Sequence, residues 1–308
     1  MTAQSPHISA AQPAATDSSA ILQAVACMAA ACCFFGLMNA CVRLAGNAGL
    51  DTMQIVFFRN FFALAAMLPW LMATRFDGAR TARLAAHARR SILGLTAMVM
   101  WFFSVALLPL SEATALNFTF PLFGTILAAA ILKERVRVRR WSATLAGFLG
   151  VLIVLQPWGA SLSWPSFLPI GAAFFMACSA IAVKQLSATE SPGTVVLYMN
   201  LFMTPISLIP ALFVWQWPDW QTWLVLLALG SFAAISHLAL TRAYALAEAS
   251  FLQPLDYLRL PIVAGLAYLL FGEVPSDWLW PGAAVIAGAG IYIARREAQL
   301  AKASRRPA

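Results

Sequence analysis

Seven side chains set within long apolar runs have the chemistry to recognise a small organic molecule: Trp101, Asn117, Phe120, His237, Gln253, Asp256 and Tyr257. Rings offer stacking surfaces, amides and an imidazole orient hydrogen bonds, and Asp256 supplies a carboxylate, a mixture that small-molecule pockets commonly use. Asn117, Phe120, Pro121 and Gly124 follow three- and four-residue spacing, so a helix places them on one face. Gln253, Asp256, Tyr257 and Leu260 repeat that pattern, and the two stripes read as facing walls of one cavity. Asn117 and Gln253 each lie five residues past a glutamate (Glu112 and Glu248), about 8 Å into a helix at the helical rise. Trp101 and His237 lie eleven residues before the same glutamates, about 16 Å deep. The ordinary alternative for each residue is packing, with rings as core and amides as cross-links between helices.

Charge within the apolar runs is scarce and therefore informative. Asp256 and Arg259 are three apart and can pair along a helix. Asp256 is expected to be the ionisable group most open to the cavity, because it shares a face with Gln253 and Tyr257. Arg59 has no partner on its own helix; it neutralises Asp256, binds a substrate carboxylate or phosphate, or pairs with backbone carbonyls. Pro121, Pro254 and Pro261 each remove a backbone donor and bend their helices, as hinges or as static kinks. Gly282, Gly288 and Gly290 give the last apolar run a small-residue surface that could seat another helix, in the same molecule or in a homodimer.

These residues need long helices to hold them. Of 308 residues, 61% are apolar and 10% charged, against about 25% charged in a typical soluble domain. The formal charge of +8 invites a nucleic-acid reading, but the basic residues are separated by apolar runs and form no continuous face. A bilayer core needs roughly 20 apolar residues per helix. Candidate spans fall at 20–43, 53–73, 91–110, 114–132, 142–157, 167–184, 193–214, 222–241, 250–271 and 278–294. The expected fold is an all-α polytopic membrane protein of ten transmembrane helices. Residues 1–19 read as a disordered tail and 295–308 as a basic tail. With the N-terminus inside, seventeen of the twenty Lys and Arg fall in inside segments: the 74–90 and 133–141 loops, the C-terminal tail, Lys184 and Arg242. The positive-inside bias therefore places both termini in the cytoplasm. Cys27, Cys32, Cys33, Cys41 and Cys178 show no paired metal-site spacing, and no metal site is expected.

The chain also repeats itself. Cys41-Val42-Arg43-Leu44 aligns with Ala182-Val183-Lys184-Gln185, and Val56-Phe57-Phe58-Arg59-Asn60 with Val196-Leu197-Tyr198-Met199-Asn200. Leu110-Ser111-Glu112-Ala113-Thr114 aligns with Leu246-Ala247-Glu248-Ala249-Ser250, Glu134-Arg135-Val136 with Glu273-Val274-Pro275, and Trp141 with Trp280. The offset stays between 136 and 141 residues, so the copies are collinear: 20–158 and 166–294. Five spans per copy is an odd number, so the copies sit upside down relative to each other. The basic loop after Glu134 and its counterpart after Glu273, which carries Asp277 and no Lys or Arg, have the opposite charge that inversion demands. Inverted repeats are an architecture of secondary transporters, with the substrate site at the repeat interface near the midplane.

On these features the chain resembles the drug/metabolite transporter superfamily, in its ten-helix EamA-type branch. The resemblance rests on the five-plus-five repeat, on Phe58-Arg59-Asn60, and on the stretch LPLSEATALNFTFPLFGTILAAAILKE with its second copy RAYALAEASFLQPLDYLRLPIVAGLAYLLFGE. Gly147 and Gly150 in the fifth span, and Gly288 and Gly290 in the tenth, continue it. It covers roughly residues 20–294. It implies that spans 1, 3, 4, 6, 8 and 9 line the cavity, which leaves Arg59 outside the lining and favours a structural pairing for it. Met199 departs from the symmetry, standing where the first copy has Arg59.

Catalytic signatures are missing. Three histidines cannot build an HExxH site, and there is no GxxxxGK[ST] loop or GxSxG elbow. Transport must then draw on an ion gradient, such as protons, or on exchange, with no cofactor. The expected function is secondary transport of a small organic metabolite across a bacterial inner (plasma) membrane by alternating access. An amino-acid-like or aromatic compound is expected, with export favoured by family habit. The alternatives are uptake of a cofactor-like molecule such as a vitamin or S-adenosylmethionine, and a non-transporting membrane scaffold or enzyme.

Overall fold

The computed structural model describes residues 18–108, 110–156, 163–272 and 277–303. Thirteen α-helices and two short 3-10 turns make up its regular structure, with no strand among the described residues. In chain order they are α1 (Ser18–Asn47), α2 (Thr52–Ala66), α3 (Leu68–Ala73), α4 (Leu84–Leu107), α5 (Leu110–Asn117), α6 (Phe120–Ile131) and α7 (Val138–Leu155). The second half holds α8 (Phe167–Leu186), α9 (Pro192–Phe213), α10 (Trp220–Leu246), α11 (Ala249–Asp256), α12 (Arg259–Phe271) and α13 (Leu279–Ala303). Seven helical stretches among the described residues are long and apolar enough to cross a bilayer, and the chain is an integral membrane protein. The apolar part of α4 begins only after Arg90, and that of α13 ends at Arg295. Both helices extend past their apolar parts: α4 starts before the expected span and α13 runs on through Ala303.

Local chemistry sets several helix starts. Asp51 caps α2 by accepting from the Met53 amide at 2.8 Å. Ser191 caps α9 by accepting from the Thr194 amide at 3.1 Å, and Asp219 caps α10 through Thr222 at 2.7 Å. Each carries one of the amides a helix N-terminus would otherwise leave unpaired.

Three expected spans are broken. The fourth divides into α5 and α6 at Phe118–Thr119, and the ninth into α11 and α12 at Tyr257–Leu258. Pro121 and Pro261 do not bend continuous helices, as the sequence suggested. Each sits in the first turn of the helix that resumes, where a missing amide costs nothing. Pro254 does lie inside its helix, α11. The second span breaks at Met67, between α2 and α3.

Small residues let the helices approach closely. On α10, a Cβ at Gly230 would stand 2.2 Å from Phe62 Cβ and 2.6 Å from the Ala63 nitrogen of α2, so only glycine permits this crossing. A Cβ at Gly150 would meet the Gly282 carbonyl at 2.9 Å, joining α7 to α13. Gly282 is thus spent inside the molecule, whereas Gly288 has nothing within 4 Å.

The neighbours pair in a regular way. Helix α1 packs on α10 and α12, and α8 packs on α4 and α6; α2 lies against α9, and α7 against α13. The largest apolar core joins α1, α6, α8, α10 and α11, and a second unites α1, α2, α9 and α10 around Phe57 and Phe58.

Candidate functional site

The crossing of α2 and α10 brings Arg59 to His237. Arg59 Nη2 stands 2.8 Å from His237 Nε2, and its Nη1 donates to Asn60 Oδ1 at 2.8 Å. Arginine can only donate, so Nε2 accepts, which leaves the imidazole neutral with its proton on Nδ1. Asn60 in turn donates to Ser207 Oγ of α9 at 3.2 Å. Arg59 therefore meets neither Asp256 nor a backbone carbonyl: both of the side chains it binds are neutral.

From His237 the cluster continues through Phe35 of α1. The Phe35 ring stands edge-on to the imidazole, 5.1 Å between centroids, and the Arg259 guanidinium lies 5.2 Å from the centre of the same ring. Arg259 binds both oxygens of Asp256 at 2.5 Å. The Asp256–Arg259 pair thus forms as expected, across the break between α11 and α12. Asp256 is not the open carboxylate the sequence suggested, because it is 4% exposed and held by its own arginine.

Gln253 and Gly124 do face each other, but in contact. A Cβ on Gly124 would meet the Gln253 amide at 2.3–2.5 Å, so α6 and α11 are in direct contact at this point. The Gln253 amide donates to the Tyr244 hydroxyl at 3.3 Å, while its Oε1 is buried without a partner. Tyr257 leaves the shared face. It ends α11, packs against Gly147 of α7 and beside Phe118, and is fully buried with its hydroxyl unpaired. The helical register fails because the helix stops there. Asn117 bridges α5 to α8, donating to the Pro169 carbonyl at 3.3 Å. Phe120 lies in the main core. Trp101 is half-buried on α4, and its carbonyl accepts from Ser104.

The sequence reading missed Phe35, Tyr244 and Arg90. Arg90 had been counted among the basic residues of the 74–90 loop, yet it is 7% exposed.

A second charged cluster holds the end where the basic loops lie. Lys133 adopts φ of 56° as α6 ends, and the turn points Glu134 at the start of α11. There the carboxylate accepts from the Ala249 and Ser250 amides, both at 2.9 Å, meeting the positive end of the helix dipole. Lys184 of α8 donates to the Tyr244 and Ala247 carbonyls at 2.6 Å, at the negative end of α10. Arg140 of α7 binds Glu248, Ser250 and Glu297. A cavity of about 630 Å³ opens beside them, among Arg83, Arg89, Leu132, Glu134, Lys184 and Gln185. The matching residues after the second copy, Glu273 to Ser276, and the side chain of Glu112 lie outside the described residues.

The sequence pattern of the EamA-like transporter family matches residues 22–156 and again 163–296. The chain belongs to this family. It is a transporter of a small molecule and not an enzyme. It is 37% identical over 275 residues to the riboflavin transporter of Vibrio cholerae serotype O1, covering 88% of this chain and 92% of that protein. It is 30% identical over 244 residues to the S-adenosylmethionine uptake transporter of Rickettsia prowazekii, covering 79% and 83%. One solved crystal structure superposes with a TM-score of 0.75 over 91% of this chain and 99% of the other at 18% identity, a shared fold.

Proposed function

We propose that the protein takes up riboflavin or a closely similar flat vitamin across the inner membrane. The observation that carries this reading is the likeness to a riboflavin transporter over nearly that protein's full length. It favours the vitamin-uptake alternative over export of an amino-acid-like compound. The site chemistry separates it from the S-adenosylmethionine alternative. That molecule carries a sulfonium and an ammonium against a single carboxylate, so it is a net cation; Arg59 stands at His237, and the nearby Asp256 is already paired with Arg259. Riboflavin is uncharged, its ring system is flat, and its ring edge presents acceptor oxygens and nitrogens. Phe35 and His237 offer ring surface, and the arginines offer donors.

The reading extends to the architecture. Ten spans arranged as two inverted halves accord with the doubled family match and with the neighbour pattern, in which α1 on α10 and α12 mirrors α8 on α4 and α6. Both termini then face the cytoplasm, at the basic end. Purified protein in liposomes should show saturable riboflavin counterflow that excess S-adenosylmethionine and amino acids leave unchanged. Counterflow of S-adenosylmethionine with no movement of riboflavin would overturn the assignment.

A further inference from the structure

We propose that the cavity at the basic end is a binding site for the phosphate group of a small ester, held by Arg83 and Arg89. Both arginines line the cavity of about 630 Å³ from the start of α4, and they converge on one residue of α8. Arg83 Nη1 donates to the Gln185 carbonyl at 3.1 Å and to Thr189 Oγ1 at 2.7 Å. Arg89 Nη2 donates to Gln185 Oε1 at 3.4 Å. Two guanidiniums thus meet at one neutral glutamine. Among the described residues, no carboxylate forms an ion pair with either of them. Glu190, on the turn after α8, accepts from Thr81 Oγ1 at 2.7 Å and does not line the cavity.

The other two charges of the lining, Glu134 and Lys184, cancel in sign and are already engaged. Glu134 accepts from the Ala249 and Ser250 amides at 2.9 Å, and Lys184 donates to the Tyr244 and Ala247 carbonyls at 2.6 Å. What remains is the charge of two guanidiniums, each with most of its forked donors unused. Arginine matches phosphate with two parallel hydrogen bonds. A phosphate group turns its oxygens in several directions, so it can take two forks arriving from two points of α4 at once. The volume lies in the range of small-molecule sites, far more than an inorganic ion fills, and Leu132 and Ala188 give the wall an apolar part for an organic body. Riboflavin itself brings no charge to these arginines, whereas riboflavin 5′-phosphate does; the choice of that ester as probe rests on the riboflavin reading above.

Binding to the full chain in a neutral detergent tests this, with riboflavin 5′-phosphate followed by flavin fluorescence and melting curves as the control for folding. Ribose 5-phosphate should displace the ester from the wild type, and ribose should not. Raising the salt should weaken the ester, because the charges of an open cavity are screened. Replacing both arginines, Arg83→Gln with Arg89→Gln, should weaken it about tenfold or more, the worth of one charge-assisted hydrogen bond, and each single variant should fall between. An unchanged affinity in the folded double variant overturns the proposal, as does a wild type that binds neither phosphate compound. If the double variant does not fold, the wild type decides: displacement by ribose 5-phosphate supports the proposal, and an ester affinity indifferent to both ribose 5-phosphate and salt overturns it. Short-chain phosphatidylglycerol, run as a second competitor, separates the sources of the phosphate. Displacement by it in preference to ribose 5-phosphate assigns the site to a lipid headgroup, and the reverse order assigns it to a soluble ester. A protein that moves no riboflavin in counterflow defeats the uptake reading alone, since displacement by ribose 5-phosphate does not depend on it.

Discussion

The two charged clusters of this protein are built on opposite rules. At the basic end every buried charge has an answer: Glu134 on the amides of α11, Lys184 on the carbonyls of α10, Arg140 between Glu248 and Glu297. By contrast Arg59 on α2 and Arg90 near the start of α4 have neutral partners or none. The first arrangement fastens helices, since Arg140 ties α7 to α13 and to the junction of α10 and α11, and Glu134 and Lys184 hold that junction from α6 and α8. The second leaves guanidiniums without a carboxylate: Arg59 binds only the neutral Asn60 and His237, and the Arg90 Nε has no partner. Compensation therefore separates charges that fasten helices from charges that the fold leaves without a counter-charge.

The sharpest way to break this contrast is at Arg140. Arg140→Met strips Glu248, Glu297 and Ser250 of a shared partner on a side chain only 11% exposed. Removing one member of a buried ion pair costs about 3–5 kcal/mol, and the half-exposed Glu248 moves the expectation to the low end. Melting and denaturant curves in detergent should show that loss, while riboflavin KM stays near the wild-type value. A full-stability Arg140→Met protein would remove the structural half of the comparison.

Asp256→Asn comes next. Its carboxylate is 5% exposed and answers Arg259, which is 23% exposed, so the expected loss is about 3 kcal/mol. Arg259→Gln in the same background should recover part of it, because the double variant carries no unanswered charge. A coupling energy near zero in that cycle would mean the pair does not stabilise the break between α11 and α12.

Gly230→Ala tests the geometry of the centre. The new Cβ meets Phe62 Cβ at 2.2 Å and the Ala63 backbone at 2.6 Å, and backbone cannot swing aside. Overpacking of this kind costs about 1–3 kcal/mol. Pushing α2 from α10 also separates Arg59 from His237, so riboflavin KM should rise along with the loss of stability. A change in stability with KM untouched would place the substrate away from this crossing.

Much of this organisation is legible in sequence where the interaction is local. Asp256 and Arg259 are three residues apart, and their pairing follows from helical spacing alone. The polar equivalents Asn117 and Gln253 do sit on elements that pack with the other half, one on α8 and the other over Gly124. The spacing argument fails at Tyr257, because the helix ends there and register beyond a break carries no information. Arg59 and His237 are 178 positions apart, and their meeting depends on a glycine crossing that no spacing reveals. Arg90 was hidden by a rule that usually works. Counting basic residues assigns them to the cytoplasmic surface, and this one folds inward instead.

Arg90→Met carries the smallest expected effect on stability and the most telling one. An arginine that held helices together would cost several kcal/mol on removal, as at Arg140. An arginine buried without a counter-charge is itself a burden on the unliganded fold, so its replacement by an apolar chain of similar length is neutral or stabilising, within about 1 kcal/mol. Saturating riboflavin should raise the melting temperature of the wild type, since a ligand at 100 times its Kd adds about 2.7 kcal/mol. At the same concentration the Arg90→Met protein should gain less if the unpaired guanidinium binds the ligand. Two melting curves for each protein, with and without the ligand, then read the contrast directly. A large loss without ligand would put Arg90 among the fastening charges, and an equal gain with ligand would show that riboflavin is bound by other groups.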